Sequence, residues 1–275
     1  MSDFKSPGFW AALLIIFSVV VAPFWTSTFT VSLLNDIGIA SLVVLGLVLI
    51  TGVGGVTSFG QAAFVGIAAY ATAWLSTSMG WSPWAGLLAA LLVTCLSAYV
   101  IGLLTLNLGG HFLPLSTIAW GLSIPLLFGN IDAFGRHSGL SDIPPINLFG
   151  FALVDPRSIY FLVWGCVGLA FWFSYNLLSS RQGRAIRSLR GGAVLLASVG
   201  ADAFRVRLVL FIVAALFAGL SGWIYAHMNR FVSPAPFGLA ISIEYLLMVV
   251  AGGVSHLVGA LVGSAVILNL KNALK

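Results

Sequence analysis

Two carboxylates stand inside apolar sequence, where a charge is costly. Asp36 follows Asn35 near the start of one hydrophobic run, and Glu244 lies about midway along another. An ionised side chain at membrane depth must be paired or hydrated, which makes each acid a functional candidate by default. No Lys or Arg lies in the central part of any run to pair with them, and no His or Lys relay accompanies them. Asp36 reads as an acid at a helix N-terminus near the interface, a favourable place for negative charge. Glu244 is read with a structural or gating role on the translocation path. Other chemistry is sparse. The four histidines form no H-E-x-x-H pair, and Cys95 and Cys166 sit in apolar runs as small buried hydrophobes. Nothing resembles a metal cluster, a catalytic dyad or a G-x-x-x-x-G-K-[ST] phosphate loop.

Polar groups cluster more densely in the stretch 51–64. Thr51, Gly52, Gly54, Gly55, Thr57, Ser58 and Gly60 place four glycines and three hydroxyls in ten residues, followed by Gln61. A straight lipid-facing helix does not tolerate this, since irregular backbone at membrane depth must be satisfied by protein or by a watery cavity. Thr57, Ser58, Gly60 and Gln61 are therefore candidates to line a pathway for a polar solute. The competing reading is that they hydrogen-bond to neighbouring helices as packing contacts.

A third cluster is basic. Arg181, Arg184, Arg187 and Arg190 recur every three residues, while Ile186, Leu189, Ala193, Leu196 and Gly200 follow a 3-4-3-4 spacing. That pattern makes an amphipathic helix, which Gly191 and Gly192 should bend. Gly200 can end its second piece, and Asp202 can cap the next helix. Such a helix is shaped to dock on a partner, to lie on anionic lipid, or simply to fix the topology.

The elements that position these clusters follow from composition. The 275 residues are 60% hydrophobic and only 7% charged, with a mean hydropathy of +1.10. Soluble domains carry about 25% charged residues, so a water-soluble enzyme, a nucleic-acid binder and a disordered tail are all excluded. The net charge of +5 belongs wholly to the segment between Arg181 and Arg207. Lys and Arg resist translocation, which puts the loop 179–207 in the cytoplasm. The loop 130–157, with Asp132, Asp142 and Asp155 against Arg136 and Arg157, is net acidic and reads as lying on the outer side, periplasmic if the membrane is a bacterial inner one.

Spans of roughly 20 apolar residues are predicted at 9–25, 31–51, 56–75, 84–106, 111–129, 158–178, 208–227, 237–251 and 254–270. Trp10, Trp25, Trp74, Trp81 and Trp84 mark run ends, where indoles prefer the headgroup level. The first run lacks a small-residue cleavage site and is kept as a permanent span. With six spans before the basic loop, the N-terminus is cytoplasmic. Three more would leave the C-terminus outside, against the inward preference of Lys271 and Lys275. The run 237–251 relieves the conflict: about 15 residues make about 22 Å of helix, short of a roughly 30 Å core, so it reads as short, broken or re-entrant. The run 111–129, holding Pro114 and Pro125, is a second candidate for a broken helix. The fold class is an all-α polytopic membrane protein of about eight to nine transmembrane helices, in a single domain spanning 1–275. Gly54, Gly55, Val56 and Thr57 are echoed by Gly252, Gly253, Val254 and Ser255, each group following an apolar helix that bears an acid. Corresponding breaks of this kind mark the repeats and substrate sites of many transporters.

Taken together, the segments resemble the permease subunits of branched-chain amino acid ABC importers, in particular the permease type with longer loops. The resemblance runs from about Asn35 to Asn269. It is carried by Leu45 to Gly52, by Ser58 to Tyr70, and by Gly139-Leu-Ser-Asp-Ile-Pro144. It continues through Gly183-Arg-Ala-Ile-Arg-Ser-Leu-Arg190 with Gly200, Phe231 to Pro234, Ser242-Ile-Glu244, and Met248 to Val254. It implies a multi-pass protein of the bacterial inner membrane that moves a branched-chain or related amino acid by alternating access. It also implies a second permease subunit, homologous or identical, two cytoplasmic ATPase subunits and a periplasmic substrate-binding protein. ATP and Mg would be held by those partner subunits, with no cofactor in this chain and no nucleic acid. The segment 184–202 would contact the ATPase, through Arg184, Arg187, Arg190, Ser198, Gly200 and Asp202. Acidic or amide residues usual in that family are replaced here by Gly191, Gly192, Ala193 and Ala197. The sequence stops at Lys275, about where some members continue into a fused ATPase domain. The alternative class is an ATP-independent channel or an ion-coupled secondary transporter, with Glu244 as its ion-linked residue.

Overall fold

The structure, a computed structural model, describes residues 23, 25–106, 112–148, 150–189 and 202–274. Most of the first predicted run, with Arg190, Ser198 and Gly200 of the coupling segment, lies outside the described residues. The first helix, α1 (Thr28–Leu47), starts where the Ser27 hydroxyl accepts the Thr30 amide and passes into a π-helical turn at Val48–Val53. After the irregular stretch 54–60 come α2 (Gln61–Ser78) and α3 (Pro83–Thr105). The Ser82 cap and Pro83 in the first helical turn fix the start of α3, a position where proline forfeits no hydrogen bond. Then follow α4 (Phe112–Asn130), a short hairpin of β1 (Asn147–Leu148) and β2 (Phe151–Ala152), α5 (Pro156–Ser179) and α6 (Arg181–Ser188). The chain closes with α7 (Ala203–Asn229), α8 (Leu239–Gly252) and α9 (Leu257–Ala273).

The order of burial explains the arrangement. Every residue of α1 from Ile37 to Leu47 is buried, and its π-helical extension continues the core through Ile50. A helix apolar on all faces belongs at the centre of a membrane bundle. It is flanked by α5, α7 and α9, while α2 lies along α7 and α3 packs on both of these last two. The tie to α7 is polar at one point, where the Ser221 hydroxyl donates to the Ile39 carbonyl at 3.1 Å. The outer helices keep apolar faces exposed: Leu88, Leu92 and Leu96 on α3, Leu122 and Leu126 on α4, Leu169 and Trp172 on α5. Such faces suit hydrocarbon and not water.

Five described helices or continuous helical stretches are long and apolar enough to cross a membrane: α1 with its extension, α3, α4, α5 and α7. Counting α8 and α9 as one bent element makes six. The run predicted at 254–270 forms α9, the second arm of this bent pair. Here α9 turns back by 118° from α8 across a break of four residues, and the short run 237–251 forms the first arm of this hairpin. The expectation of a break in 111–129 is corrected. The helix α4 is continuous, because Pro114 falls in its first turn, where no amide bond is lost, and Pro125 is accommodated inside it.

The acidic loop is more ordered than its composition predicts. Leu140 pairs with Val232, and Ile143 and Ile146 are fully buried. His227 lies between the Thr72 hydroxyl at 3.0 Å and the Pro144 carbonyl at 2.7 Å. Arg230 donates to the Ile143 carbonyl, and Trp84 to that of Asn147. The loop is thus a cap bound over one end of α2, α3 and α7.

Candidate translocation site

Gly52, at the end of the π-helical turn and two residues before the first Gly-Gly-Val segment, meets the second segment in space, about 200 residues away in sequence. The Gly52 Cα packs against the carbonyl of Val254, so close that a Cβ there would overlap it. Ser255 lies alongside, its hydroxyl 3.5 Å from the Gly52 carbonyl. Each segment breaks its helix by a left-handed residue that glycine adopts without strain: Gly55 has φ of +70° and Gly253 of +98°. On the α1 side the regular ladder has already slipped, with Gly54 donating to the Leu49 carbonyl and Val56 to that of Ile50. The Thr51 hydroxyl ties off this turn by donating to the Val56 carbonyl at 3.0 Å. π-Helical turns of this kind are frequent at functional positions.

The freed backbone amides find side-chain partners on two other helices. Phe59 donates to the Thr117 hydroxyl of α4 at 3.1 Å, and Ala62 donates to the Ser242 hydroxyl of α8 at 3.1 Å. Irregular backbone is thereby satisfied from within the protein, as the bilayer requires. The side chains beside it are not. Ser58 and Gln61 are almost wholly buried, and Ser58 Oγ with both polar atoms of Gln61 find no hydrogen-bond partner among the described residues. Buried polar atoms are ordinarily paired. Thr57 is half-buried beside them, and Gly60 is buried where α2 begins. The four predicted residues of this stretch are thus together in space.

Glu244 is not with them. It faces a cavity of about 290 Å3 between α1, α7, α8 and α9. The expectation that no base pairs with it is corrected: Lys271 Nζ lies 2.9 and 2.7 Å from its two carboxylate oxygens. The bend between α8 and α9 carries Lys271 back along α8, so a lysine read as a terminal topology signal also pairs with Glu244. Asp36 lines the same cavity. It sits in the third turn of α1 and not at its N-terminus, since the Ser27 cap starts the helix earlier than predicted. Tyr225, Tyr245 and the apolar Ile39, Met248 and Leu268 complete the wall. Val65, one turn beyond Gln61 on α2, connects this cavity to the broken segment.

Of the coupling residues, the described part behaves as the periodicity predicts. Gly183, Ile186 and Leu189 are buried, while Arg181, Arg184 and Arg187 point outward. Ser180 caps α6, and Arg187 donates to the Leu178 carbonyl at 2.8 Å, which fixes α6 against the end of α5. Asp202 Oδ1 accepts the Phe204 amide at 2.9 Å and caps α7. Sequence reasoning missed what Thr117, Ser242 and Lys271 bind, although Ser242 stands in the resemblance and Lys271 reads as a topology signal. The first two look like ordinary helix hydroxyls, and the third acquires its role only through the bend.

A bundle of apolar helices around two meeting breaks, with buried polar side chains beside them, defines a membrane protein of the transporter type. The chain belongs to the family described as the branched-chain amino acid transport system permease component, which it matches over residues 29–275. It is 30% identical to the high-affinity branched-chain amino acid transport system permease protein LivM of Salmonella typhimurium. It is 31% identical to the LivM protein of Escherichia coli. Each alignment covers 92% of this chain, and the chain spans 64% of the length of either relative. No solved structure matches. The chain is thus a member of a permease family, with five or six apolar spans among its described residues.

Proposed function

We propose that this chain is the membrane-spanning subunit of an ABC importer of the bacterial inner membrane, moving a branched-chain or related amino acid by alternating access. The observation that carries this reading is the broken backbone at 51–60, where Gly52 meets Val254 and where Ser58 and Gln61 keep buried polar atoms without a partner among the described residues. A polar solute crossing the bundle would supply those partners. Family membership supplies the class of cargo. In this reading the chain pairs with a second permease subunit, homologous or identical, and receives solute from a periplasmic binding protein. Two cytoplasmic ATPase subunits hold the ATP and Mg. The outward arginines of α6, with Asp202 at the start of α7, form the contact to the ATPase. The loop 179–207 is then cytoplasmic and the loop 130–157 periplasmic. The count of eight or nine membrane helices rests on the apolar runs of the sequence.

The test is ATP-driven uptake of labelled leucine by proteoliposomes holding the permease, its ATPases and its binding protein. Uptake is expected to require all of them. Transport without the ATPases, or under a proton gradient alone, would replace this reading with a channel or an ion-coupled carrier.

A further inference from the structure

Where α5 passes into α6, an apolar helix face ends directly at a cation. The Ser180 hydroxyl donates to the Leu177 carbonyl and accepts the Gly183 amide, so α6 starts at once after α5 stops. In the corner lies an open pocket of about 450 Å3, lined by Phe173, Asn176, Leu177, Ser180, Arg181 and Gln182. Phe173 and Leu177 continue the outward face of α5, on which Leu169 and Trp172 are exposed. Asn176, Arg181 and Gln182 stand exposed at its polar end. Arg181 is the one charge in this lining and enters no ion pair among the described residues. Asp202, the next acid along the chain, lies 3.4 Å from Arg205. Depth follows from length. The 24 residues of α5 rise about 36 Å, more than a roughly 30 Å hydrocarbon core, so its last turn stands among headgroups. Exposed Trp172 and Tyr175 beside that turn are rings that settle at this level.

We propose that this corner binds an anionic phospholipid, its phosphodiester on Arg181 and an acyl chain along Phe173, Trp172 and Leu169. A guanidinium offers paired N–H donors that match two phosphate oxygens, and the amides of Asn176 and Gln182 add further donors. With no carboxylate in the lining, the positive charge is left for the lipid. Inorganic phosphate or a soluble phosphate ester would leave Phe173 and Leu177 bare, whereas a phospholipid covers the polar and the apolar part together. A zwitterionic lipid brings its own cation towards Arg181 and gains less there. A protein partner would have to carry an acid to the same depth, where anionic lipid already presents negative charge. Arg184 and Arg187 lie outside the pocket and stay available for the ATPase contact.

The permease assembled with its ATPases is placed in phosphatidylcholine liposomes that contain phosphatidylglycerol with a diazirine on one acyl chain. After irradiation, adducts are mapped by mass spectrometry. The peptide holding Leu169, Trp172 and Phe173 should be labelled about tenfold above the α3 peptide holding Leu88 and Leu92, a lipid-facing stretch without a cation. Excess phosphatidylglycerol should remove that difference, and excess phosphatidylcholine or soluble glycerol phosphate should not. Arg181→Gln should lower the labelling about tenfold, whereas Arg184→Gln should change it less than about twofold. Equal labelling of the two peptides, or equal loss in the two arginine variants, would reduce the corner to ordinary lipid contact and overturn the site. Competition by glycerol phosphate would make it a site for a soluble anion and overturn it as well. Leu169→benzoylphenylalanine should crosslink to lipid; a crosslink to another subunit in its place would make this face a protein interface and overturn the proposal. None of these readouts is uptake, so the site stands or falls independently of the transport reading.

Discussion

Ser58 and Gln61 carry three polar atoms into the protein interior without giving any of them a partner among the described residues. An unmade buried hydrogen bond costs about 1–3 kcal/mol, so a chain that keeps three of them draws a return from them elsewhere. If that return is contact with passing solute, Ser58→Leu or Gln61→Leu should leave the complex assembled while slowing uptake about tenfold, the value of one hydrogen bond of about 1.4 kcal/mol. Unchanged uptake would take both residues off the path. Their importance is legible in the sequence because polar and glycine residues crowd an apolar run, which no lipid-facing helix explains. The pairing of Glu244 with Lys271 is not legible. The two are 27 residues apart, and only the bend after Gly252 decides that they face one another. Asp36 is half legible: its place in a hydrophobic run marks it, but its wall mate is on another helix.

Among the elements, the junction of α1 with the α8–α9 hairpin depends on backbone lying directly on backbone. Gly52→Val should force α1 from the Val254 carbonyl, destabilising the bundle by about 1–3 kcal/mol as overpacking does, read as a lower midpoint of thermal unfolding in detergent. The cap over the other end depends on His227, which joins α7 to Thr72 of α2 and to the loop carbonyl of Pro144. His227→Ala leaves both partners unmatched and should loosen the cap, with faster proteolysis within 139–152 as the readout. The bounds of the five described spans were predictable to within a few residues, because run length and hydropathy follow directly from bilayer thickness. The course of the loop 130–157 was not, since its order comes from Ile143, Ile146 and the pairing with Val232, all of them contacts with distant sequence. Proline counting also misled at α4, where the position of Pro114 in the first turn mattered more than its presence.

On the scale of the whole molecule, the proposed orientation rests on the concentration of positive charge in one loop. A cysteine at position 187 should react only with reagents on the cytoplasmic side and crosslink to an ATPase subunit. A cysteine at position 151, an exposed position of the hairpin, should react from outside. Labelling of both from the same side would refute that arrangement. The complete burial of α1 from Ile37 to Leu47 bears on how such a protein is made. Because that stretch is apolar apart from Ser41, the helix can enter lipid before α5, α7 and α9 have left the ribosome. When those helices arrive they replace hydrocarbon with side chains that are no more apolar, so water exclusion contributes little to the exchange. The finished core is therefore held by close fit and by single polar links such as Ser221 to Ile39, and its survival on extraction should depend on how well a detergent's tails compete with that fit.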